Sequence, residues 1–152
     1  MKTTLNKIRE CCPCQSGWVK LLKNLDKTKA DDEPLAITTI LDSNGLDDAL
    51  WCLRAVDGHQ REMRLYAVDC ARSVQHLTDD AKSIAAIDVA ERHADGLATD
   101  TELAAAWAAS WAAGDAGDAA WAAGDAAREA AVAVQADLLR IVCAEIEQRE
   151  AV

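Results

Sequence analysis

A cysteine-rich segment near the amino terminus is the first place where this chain could do chemistry. The sequence Cys11-Cys12-Pro13-Cys14 resembles half of a zinc site, because structural zinc is held by two short-spaced pairs of cysteine or histidine ligands. No second pair stands at such a spacing elsewhere in the sequence. The other cysteines fall on apolar helical faces, where cysteine packs as a small hydrophobic residue: Cys52, Cys70 and Cys143. We therefore expect six reduced thiols and no metal, with a redox or metal sensor on the 11–14 segment as an alternative.

The other patterns that could support catalysis are weak. His59, His76 and His93 are each 17 residues apart, a spacing that brings no two of them together on consecutive helices. The chain lacks a glycine-rich phosphate loop, a nucleophile elbow and a paired-histidine motif. Residues 42–48 resemble a calcium loop, but the glycine is misplaced and the closing glutamate is missing, so we expect a corner between two helices. The sequence predicts a protein that is not an enzyme and needs no cofactor.

The charge is strongly negative and unevenly spread, with a net value of −10. Residues 1–30 carry seven Lys or Arg against two acids, whereas residues 31–152 carry nine against 24. A body this negative repels nucleic acid and attracts basic surfaces, including those of proteins that bind nucleic acid. The alternative is that the acidic residues only keep an alanine-rich surface soluble.

Acidic side chains at expected helix starts and turns are the candidate contacts with a basic partner, because the main chain leaves such positions exposed. These candidates are Asp47, Asp48, Asp79, Asp80, Asp115, Asp118 and Asp125. Three tryptophans, spaced so that they project from roughly one side of a helix, are further candidates. They are Trp107, Trp111 and Trp121.

The tryptophans punctuate an alanine-rich stretch, since 18 of the 33 residues in 104–136 are alanine. Alanine has the highest helix propensity, so this stretch is expected to be helical, with flat alanine ridges and tryptophans packing against a neighbour. A direct role of the tryptophans in ligand binding is the alternative. Gly114 and Gly117 predict a kink or a turn, which would separate a helix over 101–113 from one over 118–149.

Apolar residues at helical spacing predict an all-α bundle of about six or seven helices in one domain, 1–152. A basic segment (1–33) precedes a helical core (34–98) and the Ala/Trp-rich region (99–150). Expected helices cover 3–11, 15–25, 34–44, 46–56, 59–77 and 80–95, and no sheet is expected. The β-branched run Ile37–Ile40 could instead be a strand, but it has no obvious partner. The predicted core includes Met63, Cys70, Val74, Ile84 and Ile87. No stretch predicts a membrane span or a secretion signal, so we expect a cytoplasmic protein.

Four segments of the chain resemble a family of immunity proteins found in bacteria and their phages. They are Leu41–Val56, Arg64–Ala71, Ala86–Arg92 and Cys12–Trp18, and the closing Ala/Trp/Asp repeats are similar to the same family. The resemblance implies a stoichiometric inhibitor that binds a toxin or a defence effector and blocks it. A phage-borne relative could instead inhibit host immunity, including CRISPR nucleases. A structural module that self-associates, for example as a homodimer, is the third interpretation.

Overall fold

The computed structural model describes residues 1–77, 79–114 and 125–151. These residues form eight α-helices and a two-stranded sheet, which confirms the predicted all-α class. The helices are α1 (Leu5–Glu10), α2 (Gln15–Asn24), α3 (Ile37–Asn44), α4 (Leu46–Cys52), α5 (Gln60–Val74), α6 (Ala81–Ala94), α7 (Asp100–Gly114) and α8 (Asp125–Glu150). Within those residues, no helix has the length and apolar content that crossing a bilayer requires.

The small sheet corrects two predictions. Strand β1 (Lys2–Thr3) runs antiparallel to β2 (Leu35–Ala36), although no sheet was expected. The helix expected to begin at Pro34 begins instead at Ile37. The cause is the amino terminus: Met1 is buried, and its carbonyl accepts the Ile37 N–H at 3.1 Å. Anchoring Met1 lays residues 2–3 beside 35–36, so the strand pair occupies the positions where the helix was expected to start.

Helix ends follow the capping residues closely. α3 ends before Gly45, whose φ of +101° is accessible to glycine at little cost. The predicted capping box ahead of α7 is present, since the Thr99 N–H donates to Glu102 at 2.8 Å and the Glu102 N–H donates to the Thr99 hydroxyl at 3.2 Å. The predicted break near Gly117 lies outside the described residues, which resume at Asp125 in α8.

The chain divides into two compact units, and the first combines Met1–His59 with Leu139–Val152. Thr3 is buried, and its hydroxyl donates to the Ala55 carbonyl at 2.5 Å, so its polar atom is satisfied inside the unit. The largest fully buried side chains come from the amino terminus, α1, α3 and the end of α8: Met1, Leu5, Ile8, Ile37, Ile40, Leu139, Cys143 and Ile146. The prediction that the whole chain is one domain stays a prediction.

The second unit is Gln60–Leu138, built from α5, α6, α7 and the first part of α8. Tyr66 and Val68 of α5 are buried, and the Tyr66 hydroxyl donates to the Gln135 carbonyl at 3.3 Å. Ion pairs join α5 to the α6 region: Arg61 reaches Asp95 at 2.7 Å, and Arg72 reaches Asp88 and Glu91. Ion pairs between side chains at the protein surface therefore connect these helices.

The predicted core residues of the second unit are less buried than the sequence indicated. Five residues expected in the core are only half-buried: Met63, Cys70, Val74, Ile84 and Ile87. Ala67 is exposed, and α6 has no fully buried residue. The physical reason is that four of the eight residues that α5 and α6 place along the space between them are alanines, and a single methyl group does not reach far enough to cover larger neighbours. The burial prediction for this unit was wrong.

Candidate protein-binding groove

An open apolar groove runs between α5, α6 and α7 in the second unit. Its volume is about 340 Å³. α5 contributes one face at i, i+3, i+4 and i+7, α6 contributes a face with the same spacing, and α7 adds one wall. The lining residues are Arg64, Ala67, Val68, Ala71, Ser83, Ala86, Ile87, Ala90, Leu103 and Trp107.

Small side chains keep this groove open. Half of its lining positions are alanines or Ser83, which leave space between helices that larger residues would fill. Trp107 forms part of the wall and is 58% exposed, which is far more than a tryptophan packed into a neighbouring helix would be. An exposed aromatic ring beside an apolar cavity is typical of a surface that binds another protein.

The polar lining of the groove is sparse and cationic. Arg64 and Ser83 supply its charged and hydroxyl groups, and no carboxylate from the described part of the chain lines it. Arg64 is exposed and forms no ion pair with any residue that the structure describes. An apolar segment carrying a carboxylate would therefore match the groove, because the guanidinium offers two parallel donors to it.

Two predicted acidic sites lie at exposed positions, as expected. Asp47 is exposed in the first turn of α4, and Asp79 is exposed just before α6. Their neighbours differ. Asp48 is half-buried and accepts from the Asn44 amide at 2.8 Å. Asp80 is the N-cap of α6 and accepts from the Ser83 N–H at 2.7 Å, so its carboxylate is already used inside the fold.

The capping role of Asp80 has an electrostatic consequence. Its pKa lies below the ordinary value because the side chain and the main-chain N–H of Ser83 both donate to the charged carboxylate. Thr99 lowers the pKa of Glu102 in the same way at the start of α7. Both groups stay charged at neutral pH while holding helix starts in place.

The remaining predicted site residues fall in or beside the part of the chain that is not described. Asp115, Asp118 and Trp121 lie outside the described residues. Trp111 lies in α7 and Asp125 begins α8, but their side chains are not among those described. Of the three predicted tryptophans, the structure therefore places the side chain of Trp107 alone.

Two of the three histidines lie beside different carboxylates. His93 Nε2 lies 2.7 Å from Asp100 Oδ1, and His59 Nε2 lies 3.4 Å from Glu150 Oε1. All six cysteines are free. Within the described ranges, no group of three or more His, Cys, Asp or Glu side chains could hold a metal ion.

Sequence reasoning missed the groove, although its signal is present. Ala67 and Ala71 stand four apart on α5, and Ala86 and Ala90 stand four apart on α6. Two facing rows of alanine indicate either close helix packing or a gap, and only the distance between the helices tells which of the two is present.

No protein-family model, no curated protein and no solved structure matches the chain.

Proposed function

We propose that this protein is a stoichiometric inhibitor that binds another protein, in the manner of an immunity protein that neutralises a toxin, a nuclease or a defence effector. The observation that supports it best is the open groove between α5, α6 and α7 with the exposed Trp107 on its wall. Inhibition by occupying a surface requires only a binding face and no catalytic group.

The groove suits an apolar helix of the target. Its three helical walls and its apolar lining match the way in which amphipathic helices are held in grooves, with side chains at i, i+3, i+4 and i+7 as anchors. Arg64 then receives a carboxylate of the inserted segment. Truncation of a central aromatic anchor costs about 2 kcal/mol or more in such interfaces, so Trp107→Ala should weaken binding by roughly 30-fold.

The net charge of −10 favours a target with a basic surface, such as a protein that binds nucleic acid. Charge of this kind raises the association rate and is screened by salt, with a Debye length of about 8 Å at physiological ionic strength. Among the predicted acids whose side chains the structure describes, Asp47 and Asp79 are exposed and serve this role. Asp80 is a poor choice for a charge reversal because it caps α6.

A matched pair of variants tests the proposal. Ala86 lines the groove, whereas its neighbour Ala85 is exposed and does not. Ala86→Leu should fill the groove and abolish target binding, and Ala85→Leu adds the same atoms elsewhere on α6. The proposal would be supported if the wild type and Ala85→Leu both captured the same target and inhibited it at a one-to-one ratio, while Ala86→Leu did not bind it. Equal capture by both variants would overturn it.

The same experiments distinguish the other interpretations. A target from a phage-defence system, a CRISPR nuclease for example, would make the protein an anti-defence inhibitor. Sedimentation of the protein alone addresses self-association: a dimer that Ala86→Leu dissociates would assign the groove to a second copy. Asp79→Lys should slow association with a basic target at low salt, and its effect should vanish at high salt.

A further inference from the structure

The six cysteines divide into two chemical classes by their surroundings. Cys52 and Cys143 are buried in the first unit, and loss of hydration raises the pKa of the Cys52 thiol to about 11. Burial raises the pKa of Cys143 and Cys70 as well. Cys12 and Cys14 are exposed, and Cys11 is half-buried. Because the thiolate is the reactive form of cysteine, the raised pKa of Cys52, Cys70 and Cys143 makes these three thiols less reactive at neutral pH.

The reactive class lies in the short connection between α1 and α2. Cys11 is the residue at which α1 ends, and Cys14 is the residue that caps α2. Between them Cys12 has a φ of +58°, a left-handed conformation that turns the chain, and Pro13 follows. Two cysteines therefore flank one corner of the chain at the C-x-x-C spacing found in dithiol proteins that cycle between thiols and a disulfide.

The sulfur of Cys14 lies where the fold favours a thiolate. Cys14 Sγ accepts the Gly17 N–H at 3.4 Å and lies 3.6 Å from the Ser16 hydroxyl. The Ser16 hydroxyl and the Gly17 N–H lower the pKa of Cys14 because both donors stabilise the negative sulfur, and together they outweigh the opposing effect of the nearby Asp48 carboxylate. The free N–H groups at the start of α2 act in the same direction.

A small apolar cleft adjoins this sulfur. Its volume is about 80 Å³, and Cys14 lines it with Trp18 and Trp51. Gly17 keeps the approach clear, since a Cβ at that position would lie 3.2 Å from Cys14 Sγ and 2.8 Å from Asp48 Oδ2. Cys14 is exposed beside this cleft, so the apolar lining is placed to receive the carbon atoms next to the sulfur of a small disulfide.

We propose that Cys14 and Cys11 form a thiol–disulfide exchange site for low-molecular-weight disulfides, with Cys14 attacking and Cys11 resolving. The Cys14 thiolate attacks one sulfur of the small disulfide, forming a mixed disulfide and releasing one small thiolate. The Cys11 thiolate then attacks the Cys14 sulfur, releasing the second thiolate and closing the Cys11–Cys14 disulfide. The small disulfide is the oxidant and gains two electrons, and the two protein thiols lose their protons to solvent.

The test is oxidation of the full-length, reduced protein in glutathione buffers, followed by alkylation and mass mapping. Trypsin places Cys11, Cys12 and Cys14 on one peptide, residues 10–20, and Cys52 on another, residues 30–54. We expect two of the six thiols to be lost. Peptide 10–20 should then carry one alkyl group instead of three and weigh two hydrogens less than the same peptide with one alkyl group and two free thiols, without linking to peptide 30–54.

Three variants assign the roles. Cys11→Ser should stop at one glutathione on peptide 10–20, and Cys14→Ser should block both steps while keeping α2 capped, because serine is a good N-cap. Cys12→Ser is the matched control and should close like the wild type. The proposal would be overturned if a disulfide formed in peptide 10–20 of Cys14→Ser, or if none formed in the wild type or in Cys12→Ser. A disulfide linking this peptide to peptide 30–54 would overturn it as well.

Discussion

Filling the groove between α5, α6 and α7 should stabilise the protein, and the size of the effect follows from the structure. Ala86→Leu adds three carbon atoms on the groove side of α6. Complete burial of each would contribute about 0.8 kcal/mol, or roughly 2.4 kcal/mol together. Since the groove is open on one side, about half of that is expected, near 1 kcal/mol. The groove has room for the three added carbon atoms, because its volume of about 340 Å³ is many times the roughly 30 Å³ that one water molecule occupies in the liquid.

The control is the same substitution one residue earlier. Ala85 is exposed, so Ala85→Leu adds the same atoms in water and changes helix propensity by the same amount. The unfolding free energies from urea titration should therefore differ by about 1 kcal/mol in favour of Ala86→Leu. In a chain of 152 residues this corresponds to a melting temperature about 2–4 °C higher. Equal stabilities, or a destabilised Ala86→Leu, would refute the groove as an open apolar cavity.

Three further predictions follow from single contacts. Thr99→Ala should lower the unfolding free energy by about 1 kcal/mol, because it removes the cap on the Glu102 N–H, and urea titration measures this. Iodoacetamide should modify Cys14 well before Cys52, whose pKa is about 11, and the Cys52 reaction should accelerate only in alkaline buffer; equal rates at neutral pH would contradict this. Folding lowers the pKa of Asp80 and Glu102 from their ordinary values of 3.8 and 4.5, so both carboxylates stabilise the fold at any pH above those values. In an acid titration this contribution to the unfolding free energy should disappear as the pH falls through the lower pKa values of the folded protein.

Helix positions could be predicted from the sequence because their signals are local. Gly45 ends α3, and the Thr99–Glu102 pair starts α7, since caps act on neighbouring N–H and C=O groups alone. The sheet could not be predicted. Strands of two residues have no period to detect, and their pairing depends on the burial of Met1, more than thirty residues away from Leu35.

Burial in the second unit was harder to predict for another reason. A stripe such as Met63, Cys70 and Val74 shows which side of a helix is apolar, but it does not show how much covers that side. In this unit, four of the eight residues that α5 and α6 place along the groove are alanines, whose methyl groups fill little volume. Half-burial and the groove share this cause, so the groove could be found only once the distances between helices were known.

The acidic residues of the second unit separate into those that hold the fold and those that remain for a partner. Asp80 caps α6, and Asp88 and Glu91 form ion pairs with Arg72, so these three carboxylates interact with groups inside the unit. Asp79 is exposed at the same end of α6, and it adds to the long-range field. Among the described residues no carboxylate lines the groove, so apolar contact and negative charge are carried by different residues. Ala86→Leu should therefore act on the dissociation of a target, and Asp79→Lys on its association, because short-range packing sets residence time and charge steers encounter.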